Sequence, residues 1–299
     1  MKILLSGGSG FIGRNLLNYI SHNNDYDILV IGRNLEKIKS NNVEKFRVDL
    51  NEIEDNFEKI KKYNPDIFLH LAWEGIPNYS EELSKKNYLN TIKIIKMIVS
   101  ETSCKKILST GSCWEYNDGN SIGECREDQL VTSKKPFSIY KNKIFNEVYE
   151  ICEKKNILFN WLRLFYVYGH GQGKSSIIPL LIDVLKNNKK ININFPSNKN
   201  DFIFIDDVVS IIDKFIIKNY LSGIYNVGTG QSTSIYTLLK IIDNAVNGND
   251  IISKKYSNEV NLNNSNQNFY ACTKKLKRYL NDINFTNIDI GIQKLIKHN

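Results

Sequence analysis

The stretch SGGSGFIG, residues 6–13, sits directly behind the apolar run Ile3-Leu4-Leu5 and directly ahead of Arg14-Asn15-Leu16-Leu17. That order reads as strand, glycine turn, helix. Such a turn presents backbone N–H groups and a helix N-terminus to a dinucleotide pyrophosphate. Gly7 permits the tight turn, Gly10 lets the backbone approach the phosphates, and Gly13 lets the helix pack on the strand. Ser9, Phe11 and Ile12 complete the expected contact. Glycine also marks ordinary turns, so the pattern gains its meaning from its place behind the first strand.

Outward from this turn, short apolar runs alternate with helical patterns. Strands are expected at Lys2–Ser6, Asp27–Gly32, Lys45–Val48, Ile67–Ala72, Lys106–Thr110 and Leu158–Leu164. Helices are expected near 11–21, 52–63, 84–101 and 137–155. This alternation predicts right-handed βαβ units, hence a Rossmann-type, doubly wound parallel sheet. Beyond residue 167 the pattern loosens into helices near 177–187, 206–218, 234–246 and 287–297. The expectation is an α/β protein with a dinucleotide-binding domain over 1–166 and a smaller C-terminal α/β substrate lobe over 167–299. The chain is expected to cross between the two. The Asn-rich piece 258–268 reads as a surface loop.

Composition narrows the function class. No run approaches the ~18 apolar residues of a membrane span, and the first residues read as a strand rather than a signal peptide. Five scattered cysteines without a CxxC pair read as reduced thiols of a cytoplasmic protein, with no metal site. The net charge of +8 suits anionic ligands, yet Lys, Asn and Ile are abundant throughout and no basic run is interleaved with aromatics, so nucleic acid is not an expected partner.

The second strand ends Val30-Ile31-Gly32-Arg33-Asn34. In NAD-selective sites a carboxylate there accepts hydrogen bonds from the adenosine ribose. Here Gly32 takes that place, and the Arg33 guanidinium, with Asn34 beside it, can pair a 2′-phosphate. The expected cofactor is therefore NADP(H), with NAD(H) as the alternative. Asp49 and Leu50 stand where an adenine amino group and ring would be held. Leu71, Ala72 and Trp73 end the fourth strand, where small and apolar residues let the cofactor lie across the sheet. His70, just before them, reads as a packed core histidine.

Four blocks carry a resemblance along nearly the whole chain: residues 6–13, HLAWEGIPNY at 70–79, STGSCWEY at 109–116 and RLFYVYGHGQG at 163–173. NDFIFIDDVV at 200–209 and YNVGTGQSTSI at 225–235 extend it. The sequence resembles the extended short-chain dehydrogenases/reductases acting on nucleotide sugars, the NAD-dependent epimerase/dehydratase family. Within it, the nearest branch is the 4-ketoreductases of the dTDP-6-deoxy-L-talose 4-dehydrogenase and CDP-abequose synthase type. The resemblance implies oxidoreduction at C4 of a nucleotide-activated 6-deoxy sugar, with a 4-epimerase, a 4,6-dehydratase or a catalytically dead cofactor-binding protein as rivals. It assigns Ser112 to the sugar C4 oxygen and Lys141 to the nicotinamide ribose, with further cofactor contacts from Asn87, Thr110 and Phe165. Glu74, Cys113, Trp114, Tyr166 and Gln172 become sugar-pocket neighbours, and Ile178, Pro179, Lys199 and Asn200 nucleotide contacts. A homodimer built on the helices near 84–101 and 137–155 is also implied.

Two departures stand out. The family's Tyr-x-x-x-Lys falls on Phe137 and Lys141, so the ring is kept and the transferable proton is lost. Either an engineered Tyr-to-Phe replacement traps a substrate complex, or a natural enzyme draws its proton from Tyr140 or another acid. Tyr140 has Ile144 four residues on and Lys143 only three away, which aims the pair differently. The same spacing recurs at Tyr236/Lys240 and Tyr270/Lys274, far from the nucleotide half. Further along, the family's phosphate-pairing Arg is Asn200 here, with Lys199 before it.

Overall fold

The computed structural model describes residues 1–22, 25–40, 42–120, 122–189, 193, 195–254, 267–280 and 283–297. In chain order the nucleotide half holds β1 (Lys2–Ser6), α1 (Phe11–Ile20), β2 (Asp27–Gly32), β3 (Glu44–Arg47), α2 (Phe57–Tyr63) and β4 (Ile67–His70). Next come α3 (Glu81–Glu101), β5 (Lys106–Ser112), β6 (Ile122–Cys125), α4 (Pro136–Lys154) and β7 (Leu158–Leu164). The remainder is β8 (Tyr166–Tyr168), α5 (Ile177–Lys186), β9 (Lys199–Asn200), β10 (Phe202–Phe204), α6 (Ile205–Ile217) and β11 (Gly223–Val227). It closes with β12 (Thr233–Ser234), α7 (Ile235–Asn247), α8 (Ile251–Lys254), β13 (Asn268–Ala271), α9 (Lys274–Tyr279) and α10 (Ile288–Lys297).

The described chain divides into two compact units. The first takes residues 1–118, 130–163 and 209–225; the second takes 119–129, 164–208 and 226–299. Two excursions of the chain account for this division. Segment 119–129 carries β6, which pairs in parallel with β13 of the second unit. Segment 209–225 brings back β11, the outermost strand beside β7.

Among the described residues the first unit is built on a seven-stranded sheet in the order β11-β7-β5-β4-β1-β2-β3. The pairs β1–β2, β1–β4, β2–β3 and β4–β5 are parallel, as βαβ connections require. Because both faces are covered, β1, β2 and β4 are near-continuous apolar runs, and Leu4, Leu29, Phe68 and, on β5, Ile107 are fully buried. On α3, Ile92, Ile95 and Ile98 turn to this core, and Ile144, Val148 and Cys152 do so from α4. Each such side chain contributes about 1.5–3 kcal/mol by leaving water. The second unit holds a four-stranded sheet, β12-β9-β13-β6, and the parallel pair β10–β8.

Two local expectations change. The helix expected over 52–63 begins only at Phe57. Ahead of it the chain makes two short 3₁₀ turns, the first capped by Asp49, which accepts the Asn51 N–H at 2.9 Å. Strand β4 stops at His70, so Leu71–Trp73 leave the sheet and line a cleft instead. The Asn-rich piece lies almost wholly outside the described residues.

Candidate active site

The glycine turn is built as its sequence suggests. Gly7 has φ +80°, and a Cβ there would stand 2.6 Å from the Ala72 nitrogen. A Cβ on Gly13 would strike the Gly7 carbonyl oxygen, so α1 can start against the turn only without one. Gly10 caps α1 with no side-chain hydrogen bond, which leaves the first-turn N–H groups at Phe11, Ile12 and Gly13 without a side-chain cap. A dinucleotide pyrophosphate fits such a cradle.

Beside the turn lies a cleft of about 190 Å³. Gly7, Ser9, Gly10, Arg33, Asp49, Leu50, Leu71, Ala72, Trp73 and Asn87 line it, as does Glu74, which the resemblance had set beside the sugar. Ser6, Ile31, Gly32, Val48, Asn90 and Thr91 complete the wall. Asn34 is exposed and lies outside the lining. The Arg33 Nη1 donates to Glu74 Oε1 at 2.7 Å and stands 3.7 Å from Asp49. The bond to Glu74 raises the Arg33 pKa, and the same bond lowers that of Glu74. Both side chains are well exposed, so the bridge contributes only about 0.2–1 kcal/mol. Glu74 is held in turn by Lys86 at 3.0 Å and by Asn87, whose Oδ1 accepts the Glu74 N–H at 2.7 Å. His70 is buried between Ser6 Oγ at 2.7 Å and Thr91 Oγ1 at 2.9 Å. Burial, helped by the Lys141 charge, pulls its pKa down to about 3, so it is a neutral core histidine.

Trp73 leads from this cleft to Phe137 and Lys141. Its ring meets the Phe137 ring edge-on at 5.1 Å, and the Lys141 Nζ lies 4.2 Å above it. Lys141 is buried and donates to the Thr110 carbonyl at 2.8 Å. Burial pulls its pKa down to about 8, opposed by the Glu115 carboxylate. Ser112 ends β5 and accepts the Trp114 N–H at 3.2 Å, which leaves its own proton to donate. Phe137, in the first turn of α4, is 6% exposed and packs edge-on to Tyr79 at 5.0 Å and Trp114 at 6.3 Å. Cys113 is buried next to Ser112. Tyr140 turns elsewhere. Its hydroxyl donates to Glu81 Oε1 at 2.6 Å, and that acceptor raises its pKa.

Two features here escaped sequence reading. Glu115 is fully buried, takes the Ser112 N–H at 2.7 Å and pairs with Arg163 at 2.7 Å. The signal was Arg163 standing inside the apolar strand LFNWLRL. Tyr79 belongs to a block that carried the resemblance, yet nothing in its spacing gave it a task.

The sequence signature of the NAD dependent epimerase/dehydratase family matches residues 3–228. The chain belongs to that family. CDP-abequose synthase of Salmonella muenchen is 30% identical, the match covering 81% of this chain and 79% of that protein. The ADP-L-glycero-D-manno-heptose-6-epimerase of Brachyspira hyodysenteriae is 28% identical over 98% of this chain and 96% of its own. The crystal structure of UDP-glucose 4-epimerase with UDP-glucose from Thermotoga maritima superposes with a TM-score of 0.84 at 17% identity, covering 100% of this chain and 98% of that one. The family fold thus holds from end to end.

The second unit carries the other residues assigned by resemblance. Phe165 is buried against Phe269, and Tyr166 packs on Phe202 while its hydroxyl accepts from Gln267 at 3.2 Å. Gln172 donates to the Val167 carbonyl at 2.9 Å. Ile178 is in the apolar interior, Pro179 beside it is half-buried, and Lys199 and Asn200 form β9. Asn200 Oδ1 and Gln172 Oε1 are buried without a hydrogen-bond partner among the described residues. Tyr236 and Lys240 lie on α7, whereas Tyr270 is on β13 and Lys274 on α9, all in the second unit, while Lys141 belongs to the first.

Proposed function

We propose that this protein reduces the 4-keto group of a nucleotide-activated 6-deoxyhexose with NADPH. The observation that carries the reading is the place of Lys141. Its buried ammonium, fixed on the Thr110 carbonyl, covers a ring of the dinucleotide cleft and lies in the same aromatic wall as Phe137. A cofactor bound along the cleft would run from Arg33 to that ammonium. NADPH, when bound, supplies the hydride. Lys141 holds the nicotinamide ribose, and Ser112 donates its free proton toward the sugar C4 oxygen.

Reduction is favoured over the other activities of the family by the residues directly after Ser112. A dehydratase usually places acidic residues there, whereas this chain has Cys113 and Trp114. The next carboxylate, Glu115, is locked between Arg163 and the Trp161 indole N–H at 3.2 Å. NADPH is favoured over NADH because Glu74 engages only Nη1 of Arg33, leaving the rest of the guanidinium fork for a 2′-phosphate. The nucleotide is assigned to Lys199 and Asn200, with Tyr166 and Gln172 near the sugar, and the working state is a homodimer through α3 and α4.

The test is a panel of CDP-, dTDP- and GDP-linked 4-keto-6-deoxyhexoses incubated with NADPH. One member should consume NADPH in equal amount to the alcohol formed. Interconversion of two sugars with no net NADPH loss, by a protein that copurifies with NAD, would replace this reading with a 4-epimerase.

A further inference from the structure

We propose that Tyr79 is the proton donor of this enzyme, in place of the tyrosine missing at position 137. The inference rests on the reductase reading and names the acid that reading lacks.

A ketone reduced to an alcohol must gain one proton on oxygen, and Phe137 has none to give. Three other phenols of the first unit are committed. Tyr140 donates to Glu81, Tyr88 donates to Glu147 at 2.6 Å, and Tyr116 is buried under the Arg163 guanidinium at 4.6 Å. Tyr79 differs in both place and state. Its ring touches the Phe137 ring edge-on at 5.0 Å and lies 5.3 Å from the Trp114 indole. Trp114 ties it to the family's serine, because its backbone N–H is the group that bonds Ser112 Oγ. Phe137 therefore has the serine block and a phenol packed around it. The Tyr79 side chain is half-buried rather than sealed, and its hydroxyl makes no hydrogen bond to another described residue.

Local chain geometry delivers the ring. Tyr79 closes the segment between β4 and α3, and Ser80 directly behind it caps α3 by accepting the Leu83 N–H. The cap fixes where the helix starts, and so where the residue before it stands. Burial, with the Cys113 thiol nearby, raises the Tyr79 pKa. The phenol accordingly stays protonated at neutral pH, which suits an acid in reduction and not a base in oxidation.

The step balances. The C4 carbonyl carbon gains hydride while its oxygen takes the Tyr79 proton. A C–H and an O–H bond form, while the C=O π bond, the Tyr79 O–H bond and the C–H bond of the nicotinamide that would supply the hydride break, leaving the nicotinamide oxidised. The half-buried phenolate recovers its proton from water.

The test compares Tyr79→Phe, Phe137→Tyr and the double variant with the starting protein, using the sugar that the NADPH panel identifies. Tyr79→Phe should lower turnover by about 10²–10⁴-fold with NADPH affinity unchanged, and Phe137→Tyr in that background should restore most of it. Calorimetry gives a readout independent of turnover. Tyr79→Phe should weaken binding of the 4-hydroxy product by about three- to tenfold and leave the 4-deoxy analogue unaffected, since only the former offers a C4 oxygen. Turnover within twofold of the starting protein in Tyr79→Phe overturns the proposal while the reductase reading stands. So does a starting protein that binds the product but reacts only after Phe137→Tyr. If neither the starting protein nor Phe137→Tyr oxidises NADPH with any sugar, the reductase reading itself falls, and Tyr79 with it.

Discussion

The glycine turn is made of backbone amides and small residues. Around Phe137 stand three further aromatic rings, Trp73, Tyr79 and Trp114, and the buried Lys141 ammonium. The first region has almost no freedom to vary, because any Cβ at Gly7 or Gly13 collides with backbone. The second packs side chain on side chain, and such walls tolerate exchange when volume and shape are kept. A phenol can therefore be lost from one ring and its duty taken by a neighbour without disturbing the wall. Binding machinery made of backbone is fixed by the fold; proton-transfer machinery made of side chains can migrate within it.

The largest expected effect attacks the support of the aromatic region. Glu115→Gln leaves the Arg163 guanidinium, almost wholly buried, without its counter-charge. Breaking a buried pair from one side costs about 3–5 kcal/mol, and chemical denaturation should read a loss of that size. A loss under about 1 kcal/mol would show that β5 and β7 hold this end without the pair. Lys141→Met keeps the length of the side chain and removes the charge above Trp73. Turnover should fall by about 10²–10³-fold, the scale of one preorganised electrostatic donor, and stability should rise because burial of the charge is relieved. An unchanged rate would separate Lys141 from the chemistry.

At the other region the expected effects are smaller. Arg33→Ala should erase most of a preference for NADPH over NADH, about ten- to hundredfold for a charged contact of about 1.5–3 kcal/mol. Equal affinities in the starting protein would mean that Glu74 and Asp49 already cancel the guanidinium. The mildest probe is pH. His70 has its pKa lowered from 6.5 to about 3, so below pH 6.5 the unfolded chain binds a proton that the folded one refuses. Its contribution to stability is complete above that value and is lost as pH falls toward 3. His70→Gln should flatten the fall of stability across this window, measured by denaturation at stepped pH.

The same contrast decides what was legible in the sequence. The glycine turn, the parallel α/β order and the strand-end residues Leu71, Ala72 and Trp73 could be read because each depends on short-range pattern. The late start of α2 could not, since two short 3₁₀ turns come first, and a helical pattern in sequence does not tell them from the helix. Neither could the union of Glu115 with Arg163, residues that only the alignment of β5 beside β7 brings together. Tyr140, one of the acids left open by spacing, is drawn off by a carboxylate on a neighbouring helix. Tyr79 was hidden for the same reason. Its neighbours Phe137 and Trp114 come from elements far along the chain.

The central claim, a net hydride transfer to C4 of a nucleotide-linked sugar, is most directly tested with NADPH deuterated at both positions of nicotinamide C4. Incubated with the 4-keto nucleotide sugar that the protein accepts, it should give the 4-hydroxy sugar with one deuterium on C4 and an equal amount of NADP⁺. A product without deuterium at C4, formed while NADPH remains intact, would contradict the account.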